Sequence, residues 1–388
     1  MGEGRVSPNW VVLSLMLACL AAWLILDAVS VAPNRIVPGS AYAALEIMSG
    51  WPALLLTAPM LAVVVLAWRP DQQRLKLALA TTVLLLALLP LWLSAATAVL
   101  VEPSMPQARV GIGPSLWLLL FLLLLVLIEL RTRLALSRSM GWCLLLPMIV
   151  SWWLSLALWL EPLALQREYQ ARSAQFTSAL TMHLVLVGAA VAASLVLAAL
   201  LALAMRRHAG IRRAGFGVLN FLQTIPSLAL FGLLLAPLAW LGTHVDWLAA
   251  IGVSGIGWAP AFLALLGYSL LPMVRNIHVA LEEVDPAVIE SARGMGMSRR
   301  QVFLQVRLPL ALPIVIEGIR ITTVQAIGLT AVAALIGAGG LGTFIFQGLG
   351  QAAMDMVLLG ALPIIVMALF ADALFGSLSE RLRQGGTA

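Results

Sequence analysis

The chain has 388 residues, 62% of them hydrophobic and only 10% charged, which excludes a soluble domain of this size. A formal charge of +6 in so apolar a chain points to basic loops beside a membrane, not to nucleic acid. The two cysteines, Cys19 and Cys143, both lie inside apolar runs, so they read as reduced packing residues, and no redox or metal framework is visible in the sequence.

Crossing the hydrocarbon takes about 20 apolar residues, and about ten stretches qualify. Residues 1–9 are short and polar. Residues 10–26 form the first span; Ser30-Val31-Ala32 has the form of a signal cleavage site, but the many spans that follow mark this one as uncleaved. Residues 51–68, 77–101, 116–130 and 142–160 complete five spans rich in Leu and Trp. Residues 161–179 are polar and read as a linker, the clearest compositional break. Five further spans follow at 180–204, 216–241, 248–274, 319–335 and 357–375, with a short tail at 377–388. The sixth, GAAVAASLVLAALLALA from Gly188, is rich in small residues and suits close helix packing. The later spans carry Pro226, Pro237, Gly252, Gly255, Gly257, Pro260, Gly267 and Pro272. Such breaks are tolerated where they are buried in protein or line a water-filled path, so the working machinery is expected in 180–376 and an accessory membrane domain in 1–160. No internal repeat stands out.

With the N-terminus inside and alternating spans, eighteen Lys and Arg residues fall in inside segments. They are Arg5, Arg69, Arg74, Lys76, Arg131, Arg133, Arg138, Arg206, Arg207, Arg212, Arg213, Arg275, Arg293, Arg299, Arg300, Arg307, Arg381 and Arg383. Only Arg35, Arg109, Arg167 and Arg172 fall outside, and Arg320 lies near a span end. The bias predicts both termini in the cytoplasm. Trp10, Trp51, Trp68, Trp142, Trp240 and Trp247 fit interfacial belts. Asp27, Glu129 and Asp372 sit near span ends, and Glu317 and Arg320, three apart, can pair on one helix face. A proton relay needs a mid-span carboxylate or histidine; His183 comes nearest, but lies toward the outer end of its span.

The longest polar stretch is EEVDPAVIESARGMGMSRRQVFLQVRLPLALP, residues 282–313. Asp285-Pro286 is a helix start, its carboxylate able to accept from orphan N–H groups. A short helix through Glu290 and Ala292 breaks at Gly294 and Gly296. Ser298 with Gln301 reads as a capping box for a second helix, which is expected to stop near Pro309. This helical hairpin is too polar for lipid and falls on the cytoplasmic side.

Its spacing resembles the EAA loop of permease subunits of ATP-binding-cassette importers: Glu290-Ser291-Ala292, then Gly296, Val306 and Leu308-Pro309, with Ser and Val replacing Ala and Ile. The resemblance implies an all-α polytopic membrane protein of about ten transmembrane helices with a type I importer core and a cytoplasmic coupling hairpin. It implies that Glu290, Ala292 and Gly296 meet an ATPase subunit, that Asp285 and Ser298 cap the two helices, and that Leu308-Pro309 set the return into the membrane.

Residues 220–234, NFLQTIPSLALFGLL, and 335–342, LIGAGGLG, resemble the osmoprotectant permeases, and the long amino-terminal extension resembles the Yeh-type members. Methionine-importer permeases share a Gly-rich motif at the same place, so an amino-acid substrate stays open. An ion-coupled secondary carrier and a membrane scaffold or sensor stay open as rival classes. Gln223, Thr224, Pro226, Ser227, Gly337, Gly339, Gly340 and Gly342 are the candidate pathway residues. The bland reading of Thr224 and Ser227 is hydrogen bonding between spans. Gly337–Gly342 also satisfies GxGxxG, but a dinucleotide site needs a preceding strand in a βαβ unit. Without a Walker A sequence, and with Lys76 the single lysine, the chain cannot hold ATP by a P-loop of its own. No cofactor is therefore expected on it. The implied partners are a pair of ATPases, a second permease, a periplasmic binding protein and the lipid of a bacterial inner membrane.

Overall fold

The structure is a computed structural model that describes residues 7–385 apart from 36, 49, 50 and 103. Arg5 and the side chains of Trp51 and Arg138, invoked above, lie outside the described residues. The chain divides into two compact units, Met1–Ala171 and Arg172–Ala388. Among the described residues, eight helices are long and apolar enough to cross a membrane, and the shorter Trp10–Ile25 and Leu54–Trp68 bring the apolar helices to the expected ten.

The first unit runs α1 (Trp10–Ile25), β1 (Asp27–Ala32), β2 (Ser40–Ala43), α2 (Ala44–Ile47), α3 (Trp51–Trp68), α4 (Gln72–Leu100), β3 (Arg109–Ile112), α5 (Pro114–Arg133), α6 (Arg138–Leu158) and α7 (Ala164–Ala171). Helix starts carry local caps: Asn9 accepts from the Val12 amide at 3.2 Å, Asp71 from Arg74 at 2.8 Å. At the centre Trp23 and Trp92 meet edge to face at 5.0 Å, and the Trp23 indole N–H donates to Thr57 Oγ1 at 3.1 Å. Cys19 is buried in this core as expected, whereas Cys143 is exposed on α6.

The spans are helical as expected, but the connections of this unit are not all irregular. β1 pairs antiparallel with β2 and β3 in a three-stranded sheet, Val29 opposite Ile112 and Val31 opposite Val110. The strands have six residues or fewer and the third comes from a distant connection, so local periodicity carries no signal for them. A buried clasp holds this layer together. Glu168 of α7, with 2% of its side chain exposed, takes Arg109 of β3 at 3.0 Å and Arg35 at 3.3 Å. The segment read as a linker is therefore largely helical, in α7 and the first turns of the next helix.

The second unit runs α8 (Ser173–Arg207), α9 (Ala209–Thr224), α10 (Ser227–His244), α11 (Asp246–Ala250), α12 (Trp258–Glu282), α13 (Pro286–Gly294), α14 (Arg299–Gln301), a π-helical turn (Val302–Arg307), α15 (Leu308–Ala333), a 3₁₀ turn (Ala334–Ile336), α16 (Gly342–Gly350) and α17 (Met354–Gly385). The small residues of α8 act as read from sequence: Ala190, Ser194, Ala198 and Ala202, four apart, are all fully buried and form one stripe on the helix that packs most extensively with α12. α12 and α15 also approach closely, since a Cβ on Gly318 would stand 2.7 Å from that of Asn276.

Three boundaries differ from expectation. The span read at 216–241 is two helices, α9 and α10, because Pro226 has no N–H and disfavours helical geometry at Ile225 before it. The span read at 248–274 starts at Trp258, after a loop whose Gly252 and Gly257 adopt φ of +79° and +98°. The tail read at 377–388 continues α17 to Gly385.

Candidate coupling hairpin and pathway

The hairpin between α12 and α15 is built by its own caps. Asp285 Oδ1 accepts from the Ala287 amide at 2.8 Å and Pro286 opens α13. α13 closes in a Schellman arrangement: Met297 N donates to Ala292 O at 3.2 Å and Gly296 N to Arg293 O at 2.9 Å. Gly296 holds the left-handed position, φ +83°, which an L side chain adopts only at a cost. Gly294, expected to share the break, is the last residue of α13. Ser298 Oγ then accepts from Gln301 N at 3.3 Å and Gln301 Oε1 from Ser298 N at 2.8 Å, the capping box read from sequence.

Two expectations for this element are corrected. The second helix does not stop near Pro309; the backbone runs helically from Arg299 to Ile336. Leu308 and Pro309 open α15 inside this continuous rod, and the wider π turn before them leaves room for a ring that would clash with the carbonyl four residues back. Ala292 is not presented to a partner. It is 2% exposed and shares a core cluster with Val284, Ile289, Val302 and residues of α8 and α12. Three residues from Ile289, it lies on the same inward face of α13. The outward face carries Glu290, with Gly294, Gly296, Ser298, Arg299 and Arg300 exposed beyond it. At the tip Met295 is 78% exposed. Sequence reasoning passed over Met295, although an apolar residue between two glycines at a polar tip is a legible signal for a contact. The root of the hairpin is braced by His278, whose Nε2 lies 3.2 Å from Glu282 and whose ring meets Phe216 of α9 edge-on.

The candidate pathway residues fall in two groups bordering one apolar cluster of α8, α10, α12 and α15. In the first, Gln223, Thr224, Pro226 and Ser227 mark the break between α9 and α10. Pro272 lacks the N–H that would engage the Tyr268 carbonyl in α12, and Gln223 Nε2 donates to that carbonyl at 3.0 Å. Tyr268 returns the bond, its hydroxyl donating to the Ile225 carbonyl at the break. Thr224 bonds within its own helix, to Phe221 O at 2.7 Å, so the inter-span bond belongs to Gln223.

The second group is a loop in which Gly337, Gly339 and Gly340 all take left-handed φ, between +75° and +81°. A Cβ on Gly342 would overlap the carbonyl of Ala331. The backbone at Gly342 thus lies in close contact with that of α15. Gly257 N donates to Ile336 O at 2.8 Å, and Leu341 N to His183 Nδ1 at 3.3 Å. Elsewhere Arg320 pairs with Glu317 at 3.1 Å as read from sequence, and also with Asp372 of α17 at 2.7 Å. The hairpin core and the pathway cluster are separate, so the structure does not bring the two candidate sites together.

Residues 190–384 match the family described as the binding-protein-dependent transport system inner membrane component. Residues 7–166 match the family described as the N-terminal domain of the ABC transporter permease YehY. The osmoprotectant import permease protein OsmW of Salmonella typhimurium is 39% identical over 219 residues, which are 56% of this chain and 97% of that protein. The carnitine transport permease protein OpuCB of Listeria monocytogenes is 39% identical over 166 residues, 43% of this chain and 69% of that one. A solved chain of a methionine ABC transporter in inward-facing conformations is 20% identical, with a TM-score of 0.46 over 55% of this chain and 98% of its own. With its capped hairpin, its small-residue seam and its broken spans, the chain belongs to the binding-protein-dependent transport system inner membrane components: it is an ABC importer permease subunit of multi-pass helical fold.

Proposed function

We propose that this chain translocates quaternary ammonium osmoprotectants of the glycine betaine, choline and carnitine class, driven by ATPase subunits in trans. The observation that carries the coupling half is the hairpin: its inner face is packed into a core shared with α8 and α12, yet it presents Glu290, Met295 and Gly296 outward, exposed among the described residues. A pre-ordered knob of this kind seats in a partner's cleft at little ordering cost. ATP would close a pair of ATP-binding-cassette subunits, and their movement would pass through residues 287–305 into α15. A periplasmic binding protein would deliver substrate, and a second permease, either a copy or a shorter relative, would complete the path. Relatives named for osmoprotectant and carnitine transport support the substrate class over an amino acid such as methionine. Permanently charged ammonium groups are held by aromatic cages, which this reading places in the binding protein.

In this arrangement the chain sits in a bacterial inner membrane with both termini cytoplasmic, as the Lys and Arg distribution supports. Residues 1–160 serve as an accessory membrane domain, 161–179 lie on the periplasmic side, 180–376 form the transporting core, and 377–388 face the cytoplasm. The test is purification from native membrane with its bound subunits, reconstitution, and uptake of labelled glycine betaine with methionine as competitor. Uptake should require ATP and the co-purified ATPase, and Glu290→Lys should abolish it while leaving membrane insertion intact. Normal uptake by Glu290→Lys would overturn the coupling role, uptake without any ATPase would favour an ion-coupled carrier, and competition by methionine would overturn the substrate class.

A further inference from the structure

We propose that His183 is a positioning residue of the translocation machinery, the pin that locks the glycine loop 337–341 to α8 and α15 at the outer end of the path. The inference rests on the importer reading for what the loop closes, but its geometry stands alone. His183 is fully buried on α8. Its Nε2 lies 3.1 Å from the Ile327 carbonyl of α15, and its Nδ1 lies 3.3 Å from the Leu341 amide. An amide can only donate, so Nδ1 carries no proton and Nε2–H donates to Ile327: the ring is neutral and both nitrogens are used.

The loop needs such a pin. Three left-handed glycines in four residues make it a conformationally permissive segment. Leu341 is fully buried just before α16, where no helical carbonyl is in register for its N–H, and that N–H donates to His183. A buried amide left without an acceptor is costly. The fit is also steric, since a Cβ on Gly340 would stand 3.3 Å from Nδ1. The second tether, from Gly257 N to Ile336 O, holds the other end of the loop to the start of α12. Together they make α8, α12 and α15 one body at this end, and removing the histidine's bonds frees one side of it.

The test uses the full chain with its subunits in proteoliposomes, with Cys19→Ala and Cys143→Ala removing the native thiols. Ala338→Cys places a thiol at a loop position that is 3% exposed. A membrane-impermeant methanethiosulfonate reagent is added on the outer side, without substrate or ATP. Labelling should be slow with His183 present and about tenfold faster with His183→Phe, the size of shift expected from losing one or two buried bonds. It should return to slow with His183→Gln, whose carboxamide can also donate and accept. Equal rates in the His183 and His183→Phe proteins would overturn the proposal. Labelling of His183→Gln as fast as His183→Phe would overturn it too, because a side chain able to donate and accept in the same place would then fail to hold the loop. Nitrogen-15 spectra of the histidine rings in the unmodified protein give a reading independent of any variant: His183 should show the Nε2–H tautomer, and a proton on Nδ1 would sink the pin. No substrate enters either measurement, so a wrong substrate class leaves both results standing.

Discussion

Gly296 separates two costs that most hairpin substitutions confound. Its φ of +83° penalises any L side chain, yet a Cβ built there meets nothing within 4 Å. Gly296→Ala therefore carries backbone strain and no clash, about 1–2 kcal/mol. The hairpin is anchored by Val284, Ile289, Ala292 and Val302, each under 10% exposed, and burying a single valine or isoleucine side chain is worth about 1.5–3 kcal/mol. Strain of that size should leave the hairpin folded, with uptake reduced by less than about tenfold. Gly296→Trp adds bulk into the same open space at a similar backbone cost. If the space is the seat of an ATPase subunit, the tryptophan excludes the partner. ATPase co-purification and ATP-dependent uptake should then fall below detection while the permease remains in the membrane. The comparison is made by quantifying ATPase subunits retained per permease for both variants, with hydrogen exchange over residues 286–301 as the check on folding. Equal retention by the alanine and tryptophan variants would refute the reasoning, because the open space beside Gly296 would then have no occupant.

Gly342→Ala should destabilise the second unit by about 2–3 kcal/mol, because the added carbon overlaps a backbone carbonyl that cannot swing away; Gly350→Ala, with open space around it, should be near neutral, and thermal unfolding of the two variants in detergent distinguishes them. Glu168→Ala should cost about 2–3 kcal/mol, less than for a fully buried pair because Arg35 is 39% exposed. The loss should appear as faster amide exchange in β3 and α7 with little change in α8–α17.

What could be read from sequence was what is local. Asp285, Ser298 and Gln301 act within three residues of themselves, so their roles follow from spacing alone. The small-residue seam of α8 is a property of one helix, and Glu317 with Arg320 is a pair one turn apart. What escaped is what the fold brings from a distance: Asp372 to Arg320, Tyr268 to Ile225, His183 to Leu341, and β3 to β1. Ala292 was misplaced for a related reason. Its motif marks it as important, but only the packing of α13 against the π-helical turn, in the core they share, shows which way it points. Pro309 misled because a proline usually ends a helix, and one π turn suffices to carry the backbone past it.

The uninterrupted helical path from Arg299 to Ile336 spans 38 residues, a rod of about 57 Å at 1.5 Å per residue. A tilt of about 5° around its middle moves each end by roughly 2.5 Å in opposite directions. Under the proposed coupling role, a displacement applied at the knob would reach the glycine loop by leverage, without a relay of side-chain rearrangements between them. A soft joint in the lever is the π turn at Val302–Arg307, placed next to the end where force would be applied, so its stiffness would set how much of each stroke is delivered.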